Sequence, residues 1–225
     1  MTKRVISVFL CVLCVISSIS FIVSAKENKE YTSDNFLSVA DGIIAWKKAD
    51  NGSEPDGYLI NDKYLENAGT TPGDWYPIAL GRLGIQDNNE GYLAVIKDRV
   101  EERYRESGRL SAAKATEWHR IALAVLAMGG DPTNFGTDEN GAPINLIADG
   151  TYDRGKTTPL GRQGINGWIW GLITLDSMRY AVPDGAYNTR DDIIVEIISK
   201  QLSDGGFALS SDDADPDITA MAITA

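Results

Sequence analysis

The sequence predicts an all-α chain built as an array of helical hairpins, in which buried helices alternate with half-wet ones. Three observations predict it. Segments that are apolar nearly all round, 111–128 and 163–179, alternate with amphipathic segments, 89–106 and 190–202. The apolar segments can be aligned on Asp74, Glu117, Asn166 and Asp217, at spacings of 43, 49 and 51 residues, a period in the range of helical repeats. No stretch of similar length carries the two-residue alternation of a strand.

The first 25 residues stand apart. Lys3 and Arg4 precede an apolar run from Val5 to Val23, and Val23-Ser24-Ala25 suits signal cleavage before Lys26. Residues 1–25 are therefore read as a secretory signal peptide, with an uncleaved anchor as the alternative. Both cysteines, Cys11 and Cys14, lie in that segment, so the mature chain has no disulfide and no thiolate ligand. Losing Lys3 and Arg4 takes the formal net charge from −11 to −13. An acidic, exported domain does not track a nucleic-acid backbone, and no nucleic-acid partner is expected. The expected location is secreted or on the cell surface, with membrane or surface association allowed.

Residues 26–33 are polar and read as a disordered leader; 34–225 form the repeat domain. Asp34 can cap a helix over 35–48, with Phe36, Val39, Ile43, Ile44 and Trp46 on its apolar side. Residues 50–57 are a loop by composition. The run from Thr71 carries Asp74, Trp75, Ala79, Leu80 and Leu83. Over 89–106, Leu93, Ile96, Val100 and Tyr104 recur at steps of three and four, while Lys97, Asp98, Glu101 and Glu102 face water. The segment 111–128 holds Trp118, Ile121, Ala122, Leu123, Val125 and Leu126, and Gly129-Gly130 ends it. A loop-rich stretch, 131–159, contains a short helical piece near 144–149. Trp168, Trp170, Leu172, Ile173 and Leu175 fill the next apolar helix. Ile193, Ile194, Ile197, Ile198 and Leu202 form one side of the helix after it.

The last stretch, 201–225, is the clearest copy of the repeat. Gly205-Gly206 permits positive φ past a helix end, and Phe207 folds back as an apolar plug. Asp215 then caps a helix whose first residue is Pro216, with Asp217 in the first turn. Across the repeats a small residue lies five positions past each anchor: Ala79, Ala122, Gly171 and Ala222. These small residues are expected to let neighbouring inner helices approach closely.

Alternating inner and outer helices can curl as an open solenoid or close as a ring. Gln201-x-x-x-Gly205-x-Phe207 resembles the Gln-x-x-x-Gly-x-Trp repeat of squalene–hopene cyclases, and Asp217-Ile218-Thr219-Ala220 resembles the continuation of that prenyltransferase/squalene-oxidase repeat. Asn166-Gly167-Trp168-Ile169-Trp170 has the look of an inner helix in the same group. The resemblance spans roughly 34–225 and is specific only in the last 25 residues. It implies an α/α toroid, and exported bacterial surface proteins with these repeats look most similar. The chain stops at Ala225, and its four inner helices fall short of a closed ring, so the toroid is expected to be incomplete at the C-terminus, as in a fragment.

By that resemblance, a cyclase acid would fall on Asp215 and Asp217, in Asp213-Ala214-Asp215-Pro216-Asp217-Ile218-Thr219-Ala220. Pro216 interrupts acids that the cyclase motif keeps adjacent. A proton-donating carboxyl must also be held neutral by its surroundings. A zinc-dependent prenyltransferase needs Asp, Cys and His, whereas the mature chain has no Cys and one His. No metal and no cofactor are expected. The inner-helix starts bring together Asp74, Trp75, Glu117, Trp118, His119, Asn166, Trp168 and Trp170, aromatic faces beside a few polar groups that suit a small-molecule pocket. The expected function is an exported, non-catalytic toroid domain that binds a hydrophobic or corrinoid-like ligand, or a partner. A class II terpene-cyclase-like enzyme is the alternative.

Overall fold

The structure, a computed structural model, describes residues 32–154 and 159–225. The signal peptide, its cleavage site and most of the polar leader lie outside the described residues. Among the described residues the protein is all-α, with no strand and one isolated bridge between Thr137 and Pro143. No helix among them is long and apolar enough to cross a membrane.

The chain divides into two compact units, Met1–Trp46 and Lys47–Ala225. The division falls within α1, Ser33–Asn51, which runs longer at both ends than its periodicity predicts. In the first unit α1 exposes Phe36, Val39, Ile43 and Trp46. In the second, Asn51 is buried and its amide donates to Leu59 O at 3.0 Å and Asn61 Oδ1 at 2.9 Å.

The rest of the second unit begins with a short helix, α2, Asp62–Leu65, capped by Asn61, whose Oδ1 accepts from Tyr64 N. The next helix is α3, Thr71–Leu83. Pro77 inside it has no N–H to give to Gly73 O one turn back, and Tyr64 donates its hydroxyl to that freed carbonyl at 3.1 Å. Gly84, at φ +69°, ends the helix in the left-handed conformation glycine adopts freely. Helix α4, Asn89–Ser107, buries Tyr92, Ile96, Val100 and Tyr104, a stripe at four-residue spacing, and turns its charged side to water. Asp87 anchors its start: its carboxylate accepts from the N–H groups of Leu59, Ile60 and Asn88 at 2.8–2.9 Å.

The next elements are α5, Ala115–Ala127, and the short α6, Leu146–Gly150. A 3₁₀ turn, Leu160–Gln163, leads into α7, Ile165–Asp176. Helix α8, Arg190–Ile198, opens on a capping box in which Thr189 and Asp192 exchange side-chain and backbone bonds. It stops at Ile198, one turn earlier than its apolar pattern predicts. Ile193 and Ile197 are buried, and Ile198 is exposed. The last helix, α9, spans Pro216–Thr224.

Packing follows the chain in alternation. Helix α3 lies against α5, α5 against α7 and α7 against α9, while α6 packs on α5 and α8 on α7. The close approaches are not all where the small-residue spacing puts them. Ala79 is exposed, and Gly81, two residues on, makes the contact instead: a Cβ there would overlap the carbonyl of Ala127 at the end of α5. Gly167 seats α7 on the carbonyl of Leu160 in the same way. Only Ala122 and Gly171 of the four predicted positions are buried.

The terminal turn takes the form its residues predict. Gly205 has φ +88°, Gln201 Nε2 donates to Gly205 O at 2.8 Å, and Phe207 is buried. The Thr219 hydroxyl on α9 bonds both the N–H and the carbonyl of Phe207, at 2.9 and 3.2 Å, clamping the plug to the helix.

Candidate functional site

Helices α3, α5 and α7 each carry two apolar faces. One face enters the core: Leu80 on α3, Ile121, Ala122 and Val125 on α5, and Ile169, Leu172 and Leu175 on α7. The other lines a groove of about 520 Å³. Helix α3 contributes Trp75, Ile78 and Arg82, α5 contributes Leu123 and Leu126, and α7 with its end contributes Trp170, Ile173, Ser177 and Met178. The spacings of three, four and seven set each group on one side of its helix. Trp75 and Trp170 meet across α5, with ring centroids 5.7 Å apart and planes tilted by 54°. Trp75 remains 43% exposed and Met178 62% exposed, so the groove is open to solvent. Among the described residues its one charged lining residue is Arg82.

Of the eight residues expected in a binding pocket, the structure brings Trp75 and Trp170 together in this groove. The other six lie elsewhere. Asp74 is fully buried: Oδ1 accepts from Gly69 N at 2.7 Å and Tyr92 OH at 2.8 Å, and Oδ2 accepts from Arg120 Nε at 2.7 Å. Burial pushes the Asp74 carboxyl up, against the pull of Arg120 and Tyr92, and pushes the Tyr92 phenol up as well. Glu117 faces Arg103 at 3.4 Å. Trp118 is buried and donates Nε1–H to Tyr104 OH at 2.9 Å.

His119 is buried too, with Nε2 at 2.7 Å from Gly150 O. A carbonyl only accepts, so Nε2 carries the proton and Nδ1 the lone pair. Burial lowers the His119 pKa to about 4, which keeps the ring neutral. Trp168 is half-buried and covers Gly161, where any side chain would collide with its indole. Asn166 Oδ1 is buried and, among the described residues, has no hydrogen-bond partner.

One buried cation was not legible in the sequence. Arg154 has no solvent exposure, its guanidinium lies 4.0 Å above the Trp118 ring, and none of its nitrogens has a hydrogen-bond partner among the described residues. Burial lowers its pKa to about 10. The stacking contact offsets part of the cost of desolvation.

Asp215 and Asp217 stand at the start of α9, both exposed. One oxygen of Asp215 accepts from Asp217 N at 2.8 Å and Ile218 N at 3.0 Å, which makes this carboxylate a helix cap. Among the described residues no group of three His, Cys, Asp or Glu side chains is placed to hold a metal ion.

No family model, curated protein sequence or solved structure matches this chain. The groove therefore has to be read from its own geometry.

The groove residues beyond the tryptophans (Ile78, Arg82, Leu123, Leu126, Ile173 and Met178) were not predicted as site residues. A signal for them exists. A helix apolar on all sides has more apolar surface than one core face needs, and a solitary arginine in such a run marks where the second face meets water.

Proposed function

We propose that the chain is an exported, non-catalytic repeat domain of the α/α-toroid kind, and that its inner helices bind a small apolar molecule in the groove crossed by Trp75 and Trp170. The observation that carries the reading is the ring contact of those two tryptophans across α5, in an open groove lined almost wholly by apolar side chains. Its volume is in the range of small-molecule sites, which bury most of a ligand against apolar and aromatic walls. The in-order packing of α3, α5, α7 and α9, with α4, α6 and α8 intervening in the chain, supports the toroid reading. So does the Gln201–Gly205–Phe207 turn that resembles the cyclase repeat.

The cyclase alternative gains nothing from Asp215 and Asp217. Exposed carboxylates at a helix start are poor candidates for a neutral, proton-donating acid. Export rests on the N-terminal residues alone, and N-terminal sequencing of the mature protein should begin at Lys26.

Titration with N-phenyl-1-naphthylamine, a neutral apolar fluorophore, tests the groove. Saturable uptake is expected, with quenching of tryptophan emission and at least about tenfold weaker binding in Trp170→Ala, in line with loss of an aromatic anchor. Absence of saturable uptake by the unmodified protein would overturn the reading.

A further inference from the structure

We infer that the groove selects an anionic amphiphile: an apolar chain laid along Trp75, Leu123, Leu126 and Trp170, with a single carboxylate or phosphate head held by Arg82. This rests on the groove being a small-molecule site, as proposed above.

Charge is the first argument. Among the described residues that line the groove Arg82 is the one charged group, and none of them is an acid. The chain as a whole has 32 Asp and Glu against 21 Lys and Arg, so a groove edged by a cation alone runs against its composition. Within the groove an anion finds a favourable partner in Arg82, and a cation finds none among the described lining residues.

The state of Arg82 is the second. It is exposed, and among the described residues it makes no hydrogen bond or ion pair. Arg162 and Arg179 are exposed in the same state and Arg154 is buried without a hydrogen-bond partner among the described residues, whereas four other arginines of the same unit are committed. Arg99 donates to the carbonyls of Ala68 and Glu66, Arg103 to Leu110 O, Arg120 to Asp74 and Gly69 O, and Arg190 to Asp176 and Tyr180 O. Arg82 stands in the last turn of α3, where helix carbonyls favour a cation, and its planar fork suits a carboxylate or phosphate.

Shape is the third. The apolar lining includes Trp75, Trp170, Leu123, Ile173 and Met178, and Arg82 lies on the same side of α3 as Trp75 and Ile78, two turns from Trp75. A polyanion would need further cations, and a neutral hydrocarbon would leave Arg82 unused. A body that is apolar and a head that is singly anionic match both features.

The test displaces bound N-phenyl-1-naphthylamine with dodecanoate, dodecyl phosphate, dodecanol and dodecyltrimethylammonium, each below its micelle concentration. The full mature chain and its Arg82→Gln variant are compared. At least one anion is expected to bind on the order of tenfold more tightly than dodecanol, the gain typical of a hydrogen bond to a charged group, and the ammonium to bind weakest. In Arg82→Gln the anion's advantage over dodecanol disappears. Whichever anion shows the larger gain identifies the head as carboxylate or phosphate. Dodecanol binding as tightly as both anions, or an anion preference that survives in Arg82→Gln, would overturn this inference and leave apolar binding intact. Failure of the fluorophore itself to bind would overturn the underlying reading.

Discussion

Arg120 on α5 donates Nε–H to Asp74 on α3 at 2.7 Å, and that carboxylate has no exposure to solvent. Tyr92 from α4 and Gly69 N complete its shell, so one side chain ties three helices and a loop together. Arg120 continues outward to Thr71 Oγ1 at 3.2 Å and Gly69 O at 3.0 Å. Removing one member of such a set leaves the others buried and unpaired. Asp74→Ala is expected to cost about 3–5 kcal/mol in urea denaturation. A loss below about 1 kcal/mol, the range of surface pairs, would mean that the ion pair does not organise this junction.

His119 makes stability depend on pH. Its pKa is about 4 in the folded chain and near 6.5 when unfolded, so between those values the unfolded state binds more protons. Stability contributed by the neutral ring is present above pH ~6.5 and is lost as pH falls toward ~4. The loss over that window is about 3 kcal/mol. Comparing the protein with His119→Gln at pH 7 and pH 4 isolates it from the carboxylates. The two should converge in stability as pH falls, and equal pH slopes would remove His119 as the cause.

Gly81 is where α3 and α5 touch through their backbones, beside the groove. Gly81→Ala forces a methyl against Ala127 O and is expected to cost about 1–3 kcal/mol by overpacking. Because the shift would move Trp75 relative to Trp170, tryptophan emission should change with it. A variant that is as stable as the parent, with unchanged emission, would show that the helices part without cost.

Asp215 separates capping from chemistry. Asparagine is as good an N-cap as aspartate, and alanine is not. Asp215→Asn is expected to lower stability by a few tenths of a kcal/mol at most and Asp215→Ala by about 1 kcal/mol, read from thermal melts. Equal losses in the two variants would mean that the charge matters rather than the cap.

The terminal turn was legible because its signals are local. Gly205, Phe207, Asp215 and Pro216 act within a few residues of themselves, and each took the role its chemistry predicts. The helix read over 89–106 was legible for the same reason, since a stripe at three and four shows in the chain before any partner is known, whereas the one read over 111–128 from its apolar content starts only at Ala115. The close-packing glycine was harder. The five-residue spacing pointed to Ala79, yet the contact fell to Gly81, because which face of α3 meets α5 depends on how the helices are turned against each other.

The sequence by itself determined that the described chain is helical, roughly where its long helices lie, and which of them have little polar surface. Periodicity, caps and glycines decide those matters over one or two turns. Only the tertiary structure decided what the apolar helices do with a second face. It put Asp74, Trp118 and His119 inside, and it set Trp75 opposite Trp170 with Arg82 at the edge. The reason is that burial of a residue depends on the orientation of helices far apart in sequence, and an all-round apolar helix carries no mark saying which side its neighbours will cover.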